Sequence, residues 1–393
     1  MKRSTDRIRT THAGRLPNSP GCDDLPIRLF RGETIEPGVI QAGLDHVVRR
    51  QLDLGIDIIG DGEFWKSRSF SYYSRHLTGL ATRPLKPGEP FSTRVFTRER
   101  DMFAGFYKDL DATGTIFHVP GEKPMPAETV RMVANGPVTS KGIDAIALEI
   151  ETFKAAVTRA GRSPDDAFMC VIAPGWLDHF IHNEYYKTDE EFIFALAEAL
   201  RQEYLAVVEA GFILQIDDPG VVDWWDMFKP AMSVEDYRNK IVKVRIEAVN
   251  HALKGIPADR VRYHLCWGSW HGPHTHDLPF SHIIEMMLRV NAQAYSFEAA
   301  NVRHEHEWAL WRDTRLPEGK IVVPGVVSHA TNLVEHPELI AERIMRFAGC
   351  VGRENVIAGT DCGLGGRVHA EIAWAKLEAL AEGARLASQR LWG

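Results

Sequence analysis

The sequence predicts an α/β protein, a (β/α)8 TIM barrel carrying a β-ribbon-containing insertion after its second strand. Three observations predict it. Eight short β-rich runs alternate with long amphipathic stretches, the pattern of βα units around a parallel sheet, and eight strands close a barrel. Glycines stand where helices hand over to strands. Polar residues gather at the C-terminal end of nearly every run, where barrel sites form.

Taken in order, the strand runs are residues 8–12, 56–61, 168–173, 212–217, 261–266, 294–298, 320–326 and 356–361. Between and after them, helices are predicted over 39–54, 140–160, 189–210, 233–253, 280–290, 337–350 and 369–387. Gly55, Gly211 and the pair Gly349 and Gly352 mark helix ends and αβ loops. Residues 64–137 break this rhythm: they are aromatic and rich in Arg and Pro, with 92–97 and 128–134 as the ribbon. They read as an insertion that covers the barrel mouth. The 393 residues are taken as one domain, since barrels with insertions reach this length as single units.

The chain is 45% hydrophobic and 25% charged, ordinary for a globular protein with a large core. A net charge of −7 with both signs interspersed leaves no basic stripe for nucleic acid and no polybasic membrane patch. The basic start, Met1 to Arg7, lacks a following apolar segment, and no run is apolar enough to span a bilayer, so the sequence predicts a cytosolic protein. Five cysteines are too few for a disulfide framework, so any special ones are metal ligands or nucleophiles. Cys170 and Cys350 lie in apolar runs and read as buried small residues.

The chemistry concentrates in His264-Leu265-Cys266 and in Cys362 of Gly359-Thr360-Asp361-Cys362-Gly363. Side chains two apart in a strand share a face, so an imidazole and a thiol aim at one point, where a third sulfur could join them. Alone, the first motif reads as a core histidine and a buried thiol. With Cys362 after the last strand and Glu298 after the sixth, it reads as a zinc site built from separated strands, the arrangement of a catalytic metal. Glu298 is then the ligand that yields to an incoming thiolate. His12 and Arg15, Asp61 and Glu63, Trp176 and Asp178, Asp217 and Asp218, and Ser328 and His329 close the other strands. Glu63 and Asp217 are the candidates for gripping a substrate cation or polar head, whereas Asp61 and Asp218 read equally well as carboxylates satisfying loop N–H groups. Residues 271–276 read as a polar loop and 304–307 as the solvated start of a helix.

In order along the chain, these residues resemble the catalytic barrel of the cobalamin-independent methionine synthases and their relatives, which include epoxyalkane:coenzyme M transferase. The segments are Thr10 to Pro17, Asp61-Gly62-Glu63, Gln215 to Pro219, His264 to Cys266, Phe297-Glu298, Pro324 to Val327 and Asp361 to Leu364. The resemblance implies zinc held by His264, Cys266, Glu298 and Cys362, and a substrate thiol activated there. It implies that Glu63 and Asp217 hold the acceptor's amino group, that His329 helps to donate a proton and that Ser328 orients it. Trp176 is implied as a pterin-facing ring, and reads equally as a core aromatic; His12 joins the substrate-binding set.

Two departures qualify the transfer. The sequence reads as one barrel and is expected to lack the second N-terminal barrel of the kind that helps to hold a polyglutamyl folate. Arg15 stands where the synthases carry a serine, and a guanidinium pairs bidentately with carboxylate or sulfonate. The expected activity is zinc-dependent S-methyl transfer from an alkyl donor to homocysteine or a similar small thiol. The alternatives are alkylation of a sulfonated thiol such as coenzyme M, or a zinc-binding protein without catalysis.

Overall fold

The computed structural model describes residues 1–22, 25, 28, 33–66, 71–87, 89, 97–112, 130–227 and 231–393. Eight parallel strands follow one another in chain order: β1 (Arg9–Thr10), β2 (Ile59–Gly60), β3 (Ala167–Ile172), β4 (Ile213–Asp217), β5 (Val261–Leu265), β6 (Ala294–Phe297), β7 (Ile321–Val327) and β8 (Ile357–Thr360). Each pairs with its neighbours in that order, and β8 pairs with β1. Thr11 bridges Ile58 in parallel and the Ile58 N–H donates to the Thr10 carbonyl at 3.0 Å, so the first and second strands meet and close the ring. Every predicted run overlaps its strand; β3 begins one residue before its run and β7 ends one residue after. β3 and β7 are buried along their whole length, which is why they read as continuous apolar runs without alternation.

Inside the ring, Ile58, Phe168, Cys170, Ile213, Ala294, Ile321, Val323 and Ile357 form a separate apolar plug. Around it pack helices α1 (Pro37–Asp53), α2 (Asp144–Arg159), α3 (Asp189–Glu209), α4 (Lys243–Ala252), α5 (Pro337–Val351) and α6 (Ala370–Trp392). Thr188 caps α3 by accepting the Glu191 N–H at 3.1 Å, and three acidic residues in the first turn complement the helix dipole. Gly211 (φ 97°) and Gly352 (φ 87°) follow α3 and α5 in the left-handed conformation, as their place at helix ends predicts.

Two helical segments differ from expectation. The 233–253 helix contains a π-helical turn at Arg238–Val242. The 280–290 helix is only a 3-10 turn, Phe280–His282, and a single α turn, Ile284–Met287. Tertiary contacts win there: the Phe280 N–H donates to Glu307 and its ring stacks on Phe297 at 5.2 Å.

The insertion does contain a ribbon, but with a different partner. Val130–Ala134 pairs antiparallel with Leu80–Pro84 and parallel with Ile181–Asn183, the latter from the segment after β3. Of the expected ribbon halves, residues 92–96 and 128–129 lie outside the described residues, and Thr97 opens a helix, Thr97–Met102. That helix and Ala104–Ala112 lean on the loops after β4 and β5. Arg98 pairs with Asp226 at 2.9 Å, the Thr275 N–H donates to Glu99 at 2.6 Å, and Tyr107, Leu110 and Trp270 form a small core. The described parts of the insertion thus pack against the loops after β4 and β5.

Candidate metal centre

Strand register sets the height of the site. Asp217 pairs with His264, and His264 with Ser296, so the ends of β4, β5 and β6 present one layer. Ser296 Oγ meets His264 Nδ1 at 3.0 Å, which leaves Nε2 buried without a hydrogen-bond partner. Cys266 follows on the same face. Its sulfur lies 3.9 Å from that of Cys362, delivered by the loop after β8, and the ligand atoms of His264, Cys266 and Cys362 all lie within 4.8 Å of one another. An orphaned imidazole nitrogen beside two thiols fits a soft divalent metal ion with room for a fourth ligand. The trio is strongly coupled: contact with Cys266 holds the Cys362 thiol well below its ordinary range, while the same contact pushes Cys266 up. At His264 burial opposes the charge, but Cys362 more than offsets it and the imidazole is raised.

Glu298 stands beside the trio. Its Oε1 accepts the Trp267 N–H at 2.9 Å and its Oε2 accepts from Asn301 Nδ2 at 2.6 Å. Its carboxylate falls in a second group with His329 and Asp361, again within 4.8 Å. Burial pushes Glu298 well above the carboxylate range and lowers His329 to about 4, so this imidazole is neutral at pH 7. His329 Nδ1 is buried and has no hydrogen-bond partner. Asp361 holds the loop after β6 by accepting the Ala299 and Ala300 N–H groups at 2.7 and 2.8 Å. Gly325, beside a register shift in β7, makes room for it: a Cβ there would stand 2.2 Å from Asp361 Oδ1.

The loop that carries Cys362 lies flush on the loop after β1. The Leu364 and Gly365 N–H groups donate to the Arg15 carbonyl at 2.9 and 3.0 Å, and a Cβ at Gly363 would come within 2.8 Å of the Arg15 nitrogen. The Arg15 guanidinium reaches Glu63 at 3.1 Å and the Lys66 carbonyl at 2.9 Å. Glu63, Asp217 and Cys170 form an acidic recess, their ligand atoms within 4.8 Å of one another. Glu63 has φ 53°, a conformation non-glycine residues seldom adopt, and Gly14 leaves space for its carboxylate. Burial pushes Asp217 up to about 7 and the adjacent Asp61 to about 6. The buried Lys66 ammonium donates to the Cys170 carbonyl; burial works against its charge, but Tyr73, Cys170 and Glu63 raise it.

Two expected substrate contacts are engaged elsewhere. His12 is fully buried, with Nε2 on Gln51 at 2.9 Å and Nδ1 accepting the Gly14 N–H at 3.3 Å; burial lowers it to about 3. Trp176, in the turn after β3, is buried against His179 and Phe180 with ring centroids at 4.6 and 5.1 Å.

Sequence reasoning missed several partners. Cys170 is buried, as its apolar neighbours predict, but its sulfur also lies within 4.8 Å of the Glu63 and Asp217 carboxylates, which they did not indicate. His304 is buried, stacked on Trp267 at 3.8 Å, with its nitrogens on Asp277 at 3.0 Å and Glu307 at 2.8 Å. Burial opposes its charge, yet Asp277 and Glu307 raise it to about 10; Asp277 likewise raises His274 to about 9. The 271–276 stretch is a loop, as its sequence predicts, but the 304–307 turn is not simply solvated, since His304 and Glu307 are buried. Acidic residues spaced three apart from His274 and His304 were the available signal.

Comparison with known proteins adds to this geometry. The family model described as cobalamin-independent synthase, catalytic domain, matches residues 180–385, more than half of the chain. A methionine synthase of Saccharolobus islandicus (strain L.S.2.15 / Lassen #1) is 28% identical over 230 residues, 58% of this chain and 60% of that protein. The chain thus spans less than two thirds of that relative. A methionine synthase of Saccharolobus solfataricus is 27% identical over 389 residues, covering 98% of this chain and 91% of that protein. Among solved structures, a B12-independent methionine synthase from Shewanella sp. W3-18-1 in complex with selenomethionine aligns with a TM-score of 0.70 at 18% identity, covering 98% and 99% of the two chains. A putative vitamin-B12 independent methionine synthase from Listeria monocytogenes aligns with a TM-score of 0.63 at 18% identity and the same coverage. At these identities the structural matches establish the shared fold.

Proposed function

Because the chain belongs to the cobalamin-independent synthase catalytic-domain family, we propose that it is a methyltransferase that moves a methyl group from a donor to the sulfur of a small thiol, homocysteine or a close analogue. The observation that carries this reading is the adjacency of two groups at the barrel mouth: His264, Cys266 and Cys362 as a metal-type donor set, and Glu63, Cys170 and Asp217 as an acidic recess. His264, Cys266 and Cys362 would hold zinc, with Glu298 as the exchangeable fourth group. Zinc bound there would supply the Lewis acidity that lets a thiol of ordinary pKa about 8.5 react as thiolate at neutral pH.

The chain's own residues account for the rest. Glu63 and Asp217 grip the polar head of the acceptor, and Arg15 fixes Glu63 from the neighbouring loop. As the new carbon–sulfur bond forms, the bond from that carbon to its carrier breaks; one proton leaves sulfur and one arrives on the departing atom. We read His329, neutral at pH 7 and unpartnered at Nδ1, as the group that takes up the first and returns the second. In this reading residues 1–393 act as one barrel domain with the 64–137 insertion beside the mouth. Trp176 and His12 shape the walls from within rather than touching the acceptor.

The Arg15 guanidinium at the recess favours one alternative, a sulfonated thiol in the manner of coenzyme M. X-ray absorption at the zinc edge tests both readings. Addition of homocysteine should add one sulfur to the metal shell of the zinc-loaded protein. A sulfur gained only with coenzyme M selects the alternative, and no gain with either thiol counts against thiol transfer.

A further inference from the structure

Gln215 lies on β4 two residues before Asp217, so both side chains point into the barrel. Its Nε2 stands 2.6 Å from Asp217 Oδ1, 3.0 Å from the Ala13 carbonyl and 3.3 Å from Cys170 Sγ. One amide thus touches the β1 loop, β3 and β4, three walls of the acidic recess. Its Oε1 accepts from Arg262 Nε.

Arg262 decides which way that amide faces. A guanidinium can only donate, so the carbonyl oxygen of Gln215 must turn toward it and the NH2 group toward the recess. Arg262 has no solvent exposure. Its other hydrogen bonds run to Thr11 Oγ1 at 2.8 Å and to the His12 carbonyl, and its guanidinium lies 3.6 Å from the centre of the Phe168 ring. These partners are neutral, and they fix the fork in one orientation. The amide is therefore oriented from inside the barrel, independently of anything bound at the mouth.

We infer that Gln215, locked by Arg262, is the positioning residue that sets the Asp217 carboxylate for an acceptor's ammonium group and so selects amino thiols. The inference rests on the thiol-transfer reading above. With one Asp217 oxygen tied to the amide, the other is presented to the ligand in a fixed direction. Without the amide, the carboxylate is free to turn about its χ2 bond. The loss should therefore fall on ligands that carry an ammonium and spare those that do not.

The test compares homocysteine with 4-mercaptobutyrate, its analogue lacking the amino group, by calorimetric titration of zinc-loaded protein. Gln215→Glu is nearly isosteric and keeps an acceptor for Arg262; Gln215→Met removes both functions. Both variants should retain bound zinc, weaken homocysteine by roughly 10- to 100-fold, the loss of one charge-assisted hydrogen-bond network, and change 4-mercaptobutyrate by less than about threefold. In steady state the loss should appear in KM for homocysteine, with kcat nearly preserved. Parallel losses for the two thiols, or unchanged homocysteine binding, would overturn the assignment while leaving thiol transfer intact. Wild-type protein that holds zinc yet binds neither thiol would overturn the thiol-transfer reading and this inference with it.

Discussion

Cys266 and Cys362 bring their sulfur atoms to 3.9 Å although 96 residues separate them in the chain. One sulfur follows β5 and the other follows β8, so the pair forms only when both strands are in the barrel. Replacing Cys362 with Ser should therefore remove most bound zinc and most methyl transfer while the barrel stays folded. Metal analysis of the purified variant beside a thermal melt checks this; full zinc content with normal turnover would exclude Cys362 as a ligand.

Ser296 holds the imidazole of His264 by its Nδ1 atom at 3.0 Å. Partners of this kind orient a ligand, and their removal typically costs about 10- to 100-fold in metal affinity. Ser296→Ala should weaken zinc by that amount in competition with a chromophoric chelator, with little change in melting temperature.

Gly325 is required by Asp361 rather than by backbone conformation. Its added Cβ would sit 2.2 Å from Asp361 Oδ1 and 2.5 Å from Asp361 Cα, neither of which can move aside cheaply. Gly325→Ala should destabilise the protein by about 1–3 kcal/mol, the usual range for overpacking, and displace the neighbouring Cys362. Urea unfolding and zinc content should fall together.

His329 has a different signature. If His329 carries the proton as proposed, His329→Gln should keep zinc and thiol binding yet lower kcat by about 10²- to 10⁴-fold. Loss of zinc in this variant would assign His329 to the metal instead.

Acid stability should depend on Asp57 at the opposite end of the barrel. Burial opposes its ionisation, but Arg7 and the Thr10 N–H, 2.9 Å away, outweigh it and hold the carboxyl below its ordinary 3.8. A lowered carboxyl contributes stability above that ordinary value, and the contribution fades as pH falls through the folded value. Asp57→Asn should cost roughly 1–3 kcal/mol at pH 7. The gap between variant and wild type should narrow below pH 3.8 in denaturant titrations.

The barrel was legible because its eight strands lie in short, mostly buried β-rich runs with polar residues at or just after their ends, and the grouping of His264 with Cys266 because strand periodicity alone puts them on one face. What stayed hidden depends on contacts that period and composition do not encode. Ser296 becomes a partner of His264 only through the β5–β6 register. Cys170 reaches the recess only because its strand lies between β2 and β4. The 280–290 helix is broken by Glu307 and Phe297, both distant in sequence. Glu298 was legible as a carboxylate following β6, but its bonds to Trp267 and Asn301 were not.

The pair of hydrogen bonds from Leu364 and Gly365 to the Arg15 carbonyl has a consequence for how the protein is made. The loop after β8 that carries the second sulfur docks on the loop after β1, so all the βα units between them must be made before the two partners can meet. Contacts this distant form late, after their closure entropy has been met by the rest of the barrel. Tight metal capture should then be a closing event of folding, and chains interrupted before β8 would leave the ion in the cell's pool.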